Sequence, residues 1–225
     1  MSDHPLDEQS APPRPGAAGW VRPGAGLEQL RQDASGCQGC ELHQPAGQTV
    51  FSTGAATARV VLVGEQPGDQ EDRQGAPFVG PAGRLLDRAL AEAGLDRRET
   101  YVTNAVKHFR FQPGAGGRRV HQTPGPEHVR ACAPWLAAEL ALLDPRLVVA
   151  LGSTAGKALL GPGFRVTRQR GLLLPWPADA TEDGRCRNPF LVATVHPSAV
   201  LRAEDSEAAY RAFVADLRVA AAVKG

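Results

Sequence analysis

Glu65, Gln66 and Asp69 lie in one glycine-rich stretch, Gly64-Glu65-Gln66-Pro67-Gly68-Asp69-Gln70-Glu71-Asp72, directly behind the apolar run Val60-Val61-Leu62-Val63. A carboxylate in such a place can offset a developing positive charge or orient a nucleophile, and an amide both donates and accepts. The stretch runs on through Gly75-Ala76-Pro77-Phe78-Val79-Gly80-Pro81-Ala82-Gly83, which adds one aromatic. Ligands of open α/β sheets sit at the carboxyl ends of strands, so this segment lies where a pocket belongs. A plain strand-to-helix connection with solvating acids is the alternative. The crowding of Glu65, Asp69, Phe78 and five glycines into one short segment weighs against it.

Two further sets could do chemistry. His196-Pro197-Ser198, with Leu201 and Arg202 behind it, ends another apolar run. Arg118-Arg119-Val120-His121 follows a glycine run. A neutral imidazole is a competent nucleophile with a pKa near neutrality, whereas composition alone reads Arg-Arg beside glycines as a phosphate-facing patch. Cysteine supplies a fourth set. Cys37 and Cys40 form a CxxC pair, Cys132 falls on an apolar helix stripe, and Cys186 sits among charges. Without a signal peptide, four cysteines point to metal or reactive thiols rather than disulfides. Zinc or an iron–sulfur centre needs four soft ligands, and spacing leaves the fourth open among Cys186, His43 and His108.

These groups need a frame. The strands expected are 59–63, 101–106, 147–151 and 190–195, with an edge strand at 49–51. Helices are expected at 82–93, where Gly94 is the C-cap, from Pro126 with the stripe Val129, Cys132, Leu136, Leu140 and Leu143, after Ser153, and at 206–220. The glycine-rich segment 112–121 reads as a loop. Alternating strands and helices predict an α/β protein, a three-layer α/β/α sandwich around a central, mostly parallel four-stranded sheet. Residues 1–26, rich in Pro, Gly and Ala, read as a flexible tail, and 27–225 as a single domain. The chain of 225 residues is long enough for a sizeable core. Its formal charge of +1 argues neither for nor against nucleic acid. No stretch is apolar enough to cross a membrane, and the start lacks a signal peptide, so a cytoplasmic monomer is expected.

From Cys37 to Arg202 the chain resembles the uracil-DNA glycosylase superfamily, in its iron–sulfur bacterial branch. The motif GExPG is similar to Gly64-Glu65-Gln66-Pro67-Gly68, and the HPS motif to His196-Pro197-Ser198 followed by apolar residues and Arg202. PFVGxAG and the strand ending in Asn104 stand between them in the matching order. The UdgX type resembles the chain further, with GEQPGDQED in full and an RRIH loop, here Arg118-Arg119-Val120-His121.

The resemblance implies the chemistry. Asn104 would read the uracil edge and Phe78 would stack on the ring. His196 would stabilise the departing uracil anion, helped by Gln66. Glu65, with Asp69 as a second acid, would offset the sugar cation. His121 would then bond covalently to C1′, giving a single-turnover enzyme. Arg118, Arg119, Ser153, Ser198 and Arg202 would contact DNA, with one of Arg118 and Arg119 binding phosphate while the other positions the loop, and Leu201 would wedge into the gap left by the flipped base. The implied cofactor is a [4Fe-4S] cluster on Cys37, Cys40, His108 and Cys132. The implied partner is uracil-containing DNA, preferably single-stranded, in a bacterial cytoplasm. No nucleotide cofactor is expected, since the loop lacks a P-loop ending and GxGxxG is absent. A multiple-turnover glycosylase and a redox-sensing DNA-binding module are the competing readings.

Overall fold

The computed structural model describes residues 16–176 and 190–223. Cys186 lies outside them. In chain order the elements are α1 (Leu27–Ser35), β1 (Ser52–Thr53), β2 (Val60–Gly64), α2 (Asp69–Gln74), α3 (Pro81–Ala93) and β3 (Thr100–Asn104). Then come β4 (Phe111–Pro113), β5 (Arg119–His121), α4 (Pro126–Leu143), β6 (Leu147–Leu151) and α5 (Ser153–Leu160). The last are α6 (Val166–Gln169), β7 (Leu173–Pro175), β8 (Phe190–Thr194), α7 (Pro197–Leu201) and α8 (Ser206–Ala221).

The main sheet has the order β1-β3-β2-β6-β8-β7. Its four central strands are parallel, and β1 and β7 pair antiparallel at the two edges. The parallel core is the expected one, but among the described residues the sheet has six strands instead of four. Both additions are short: β1 falls just after the expected 49–51, and β7 occupies Leu173–Pro175.

The central strands are buried on both faces, and their side chains alternate between two cores. Val60 and Leu62 of β2, Val102 of β3, and Leu147 and Val149 of β6 join Leu86 and Leu90 of α3 and Phe213 and Leu217 of α8. Val61, Val63, Tyr101 and Val148 point the other way, to Leu136 and Leu140 of α4 and Leu159 of α5. α3 begins with Pro81 at its first position and stops at Gly94, whose φ of +81° is the left-handed cap read from the sequence.

Two elements depart from expectation. Residues 112–121 do not form a loop: β4 and β5 pair antiparallel as a separate hairpin, with His121 opposite Phe111. Part of the expected N-terminal tail is also packed. Ala17 is 1% exposed, Gly16 N–H donates to the Gly39 carbonyl, and Ala17 N–H donates to Ala131 on α4.

β2 is the strand at which the order reverses, since β3 lies on one side of it and β6 on the other. The crevice beyond its carboxyl end is the position such sheets use for ligands. Glu65 and Gln66 emerge there.

Candidate active site

A cavity of about 500 Å³ opens at this crevice. Its walls come from the loop after β2 (Glu65, Gln66, Gly68), the end of β3 (Asn104), the turn into α3 (Phe78), the hairpin's end (His121) and α7 (His196, Ser198).

Asn104 is 1% exposed, and its Oδ1 has no hydrogen-bond partner. A buried acceptor without a donor is costly, so this oxygen is made for a ligand's N–H. Gly64 makes room for it, since a Cβ there would lie 2.3 Å from Oδ1 and 2.6 Å from the Phe78 ring. Phe78 itself has a φ of +57° and is 8% exposed. A Cβ on Gly83 would fall 1.7 Å from the Phe78 carbonyl oxygen, so glycine lets α3 approach this bend.

His196 stands across the cavity, its ring 5.7 Å from that of Phe78. The backbone N–H of Ser198 donates to its Nδ1 at 3.2 Å, and the Ser198 hydroxyl lies 2.8 Å from the same atom. Nδ1 is therefore the acceptor, and the neutral ring carries its proton on Nε2. Burial, aided by His121 and Arg202, pushes the imidazole down to about 4, so this Nε2–H donor is uncharged at neutral pH.

His121 is held by Gln66, which is 6% exposed. Gln66 Oε1 accepts from Arg110 N–H at 3.1 Å, and this orients the amide. Its Nε2 then faces His121 Nε2 at 3.0 Å, the Arg110 carbonyl at 3.1 Å and the Gln122 carbonyl at 3.0 Å. An amide nitrogen only donates, so His121 Nε2 presents a lone pair. Glu65 Oε1 lies 3.5 Å from the same nitrogen, and Glu65 Oε2 accepts from Thr154 Oγ1. Burial lowers the His121 pKa against the raising effect of Glu65, and the net direction is down. The Phe109 ring lies 5.9 Å from His121.

Arg119 and Asp69 meet each other. Arg119 Nε contacts Asp69 Oδ1 and Arg119 Nη1 contacts Asp72 Oδ2, both at 2.5 Å, and the guanidinium lies 5.1 Å from the Phe111 ring centroid. Arg119 is a clamp between β5 and α2, the loop-positioning role expected of one of the two arginines. Asp69 is absent from the cavity wall, its carboxylate taken up by Arg73 and Arg119, whose hydrogen bonds hold its pKa below the usual value. Arg118 is exposed at the hairpin, and Ser153 is exposed at the start of α5. Leu201 is 48% exposed at the end of α7, next to Arg202, which lines the cavity.

Sequence reasoning missed Glu71, Asp72 and Thr154. Glu71 accepts from Gly68 N–H at 3.1 Å and Gly80 N–H at 2.9 Å, tying the two halves of the glycine-rich stretch together. Asp72, 1% exposed, also accepts from Gly47 N–H at 3.0 Å. The Glu at the third position of α2 was the visible signal, a one-sided capping box.

The thiols gather behind this site. Cys37, Cys40 and Cys132 are buried in one cluster with Trp135 and Val106. The indole N–H of Trp135 donates to Cys37 Sγ at 3.4 Å, and Lys107 N–H donates to Cys132 Sγ at 3.3 Å. Burial, with Cys40 and Cys37 adding to it, pushes the Cys132 thiol up to about 12. His108 is 5% exposed. Thr49 Oγ1 donates to the Ala34 carbonyl and so accepts from His108 Nε2, which leaves the lone pair on Nδ1. Among the described residues no three His, Cys, Asp or Glu side chains are arranged to hold a single metal ion. Three thiols in one buried cluster and an imidazole with a free lone pair fit the donor set of a cluster, an object wider than one ion.

The family model of the uracil DNA glycosylase superfamily matches residues 51–218. The chain is 34% identical to the type-4 uracil-DNA glycosylase of Thermotoga maritima over 182 residues, 80% of this chain and 86% of that one. It is 35% identical to the type-4 enzyme of Pyrobaculum aerophilum over 183 residues, 78% and 85% of the two chains. A type-5 uracil-DNA glycosylase of Thermus thermophilus is 39% identical over 113 residues, 48% of this chain and 52% of that one.

Proposed function

Since the chain belongs to the uracil-DNA glycosylase superfamily, we propose that it releases uracil from single-stranded DNA and then bonds through His121 to C1′ of the abasic sugar. The observation that carries the second step is the lone pair on His121 Nε2, beside Glu65 and at the mouth of the cavity.

The flipped base enters between Phe78 and His196. Uracil N3–H satisfies the orphaned Oδ1 of Asn104. Flipping costs a few kcal/mol, least where the base is unpaired, which favours single strands. Ser198, Arg202, Ser153 and Arg118 meet the phosphates, and Leu201 fills the vacated stack. When the N1–C1′ bond breaks, its electron pair stays on uracil. The His196 Nε2–H donates to O2 and stabilises the anion. Glu65 offsets the positive charge on the sugar.

His121 Nε2 then attacks C1′. The hydrogens of the Gln66 amide have two carbonyls, Arg110 and Gln122, to return to as the lone pair turns to carbon. The imidazole sheds its Nδ1 proton and the uracil anion takes one up, so the products are neutral. Held against C1′, the imidazole outcompetes water through its effective concentration. None of the described residues lining the cavity is placed to displace it, so each molecule turns over once.

Cys37, Cys40, Cys132 and His108 would hold a [4Fe-4S] cluster. Its contribution is structural, since glycosidic cleavage moves no electron. Iron and sulfide analysis of anaerobically purified protein checks this, with about four of each per chain expected for that cluster type.

The deciding experiment mixes the protein with a uracil-containing single-stranded oligonucleotide and resolves the boiled mixture on a denaturing gel. A slow band holding protein and DNA, lost in His121→Ala, is expected. Abasic DNA with no shifted protein would mean a conventional glycosylase. Unaltered DNA would overturn the reading.

A further inference from the structure

Behind Asn104, on the sheet face that packs against α4, lies a buried ion pair. Lys107 is 1% exposed and Glu139 is fully buried, with Nζ 2.5 Å from Oε2. Removing two charges from water costs several kcal/mol each, and apolar residues of the same volume hold such a space equally well. Stability alone therefore does not account for the pair.

Its connections do. Tyr101 OH donates to Glu139 Oε1 at 2.7 Å, and Thr103 Oγ1 lies 2.9 Å from the same oxygen. Lys107 Nζ donates to Thr103 Oγ1 at 2.5 Å and to the carbonyl of Asn104 at 3.0 Å. Tyr101 and Thr103 alternate with Val102 and Asn104 along β3. The network thus grips the strand from one face while the Asn104 amide works on the other.

We propose that Lys107, held in place by Glu139, is a positioning residue that sets Asn104 against the pyrimidine edge and so governs uracil affinity. This rests on reading the cavity as the uracil pocket. A site built to hydrogen-bond a substrate group owes its selectivity to polar atoms that stay put. The Asn104 carbonyl is one bond from its Cα, so the ammonium that holds it also fixes where the amide projects.

The test uses Lys107→Met/Glu139→Gln, which removes the ammonium without stranding a buried charge. Single-turnover uracil release is followed against protein concentration, alongside thermal melting. The half-saturating concentration should rise about tenfold, the worth of one hydrogen bond, with the maximal rate nearly unchanged. In an Asn104→Ala background the same double substitution should add nothing. A fall in maximal rate alone, or full additivity with Asn104→Ala, overturns the proposal. Should the double variant fail to fold, the apolar pair Lys107→Met/Glu139→Met should shift half-saturation in the same direction, and an unchanged value in that folded variant overturns it too. Wild-type protein that releases no uracil refutes the functional reading itself, a separate result.

Discussion

The two sides of the cavity are held by different means. The side proposed to read the base, with Asn104, Phe78 and His196, grows out of the sheet and its helices. Gly64 and Asn104 are paired in register between β2 and β3, and Ala105 N–H donates to the Gly64 carbonyl. The other side is the β4–β5 hairpin, a separate two-stranded sheet. It is tethered by side chains, through Gln66 to Arg110, His121 and Gln122, and through Arg119 to Asp69 and Asp72. On the proposed reading, base recognition is thus built into the fold, whereas capture is attached to it. The two functions should separate under mutation.

His121→Ala is the largest cut. It should abolish the covalent band while uracil release continues, with water taking the place of the imidazole. On the opposite side, Gly64→Ala should stop both steps, because its methyl would meet Asn104 Oδ1 and the Phe78 ring. A gel for the adduct and a free-uracil assay together read both variants. If Gly64→Ala still captured DNA, the division between the two sides would fail.

Arg119→Ala attacks the tether. With the clamp gone, a small misplacement of His121 can cost about 100-fold in capture, while uracil release should hold. Equal losses in both rates would show that the hairpin also serves recognition. Thr154→Val is milder. It removes one hydrogen bond to the Glu65 carboxylate, worth about 1.5–3 kcal/mol, and should slow release and capture together by about tenfold or more, because Glu65 serves the sugar cation in both.

The gentlest perturbation is acid. Capture needs neutral His121, whose pKa lies below its ordinary 6.5. Lowering the pH through that pKa protonates Nε2 and removes the lone pair, so capture falls by up to about tenfold per unit beneath it. His196, pushed down to about 4, is neutral in mildly acidic buffer. Mildly acidic buffer should therefore yield some protein that releases uracil without trapping the DNA. A constant ratio of adduct to released uracil across that range would contradict the assignment of the two rings.

Much of this frame was legible in the sequence. The four parallel strands announced themselves as β-branched apolar runs, and α3 by its stripe and its glycine cap. α2 was hidden because Asp69-Gln70-Glu71-Asp72-Arg73-Gln74 offers no apolar face. The hairpin was hidden because its strands are three residues each and glycines crowd its turn. Which of Arg118 and Arg119 positions the loop was not legible, because charge alone does not say which partner it meets, and α2 had to be known before Asp69 and Asp72 could be placed opposite Arg119. Glu139 was unreadable for a similar reason. An acid inside an apolar helix stripe gains a meaning only when Lys107 and Tyr101 arrive from another layer.

The thiol cluster carries a consequence for the order of assembly. Trp135 and Cys37 meet across 98 positions of chain, and that span holds β2, the glycine-rich stretch, α3, β3 and the hairpin. During synthesis Cys37 can meet Trp135 only after α4 has emerged and docked. Closing so long a loop carries an entropic cost that grows only slowly with its length. Once closed, the contact acts as a drawstring around the pocket walls that come from β2, α3, β3 and the hairpin, so whatever loosens the thiols should give those walls back their slack.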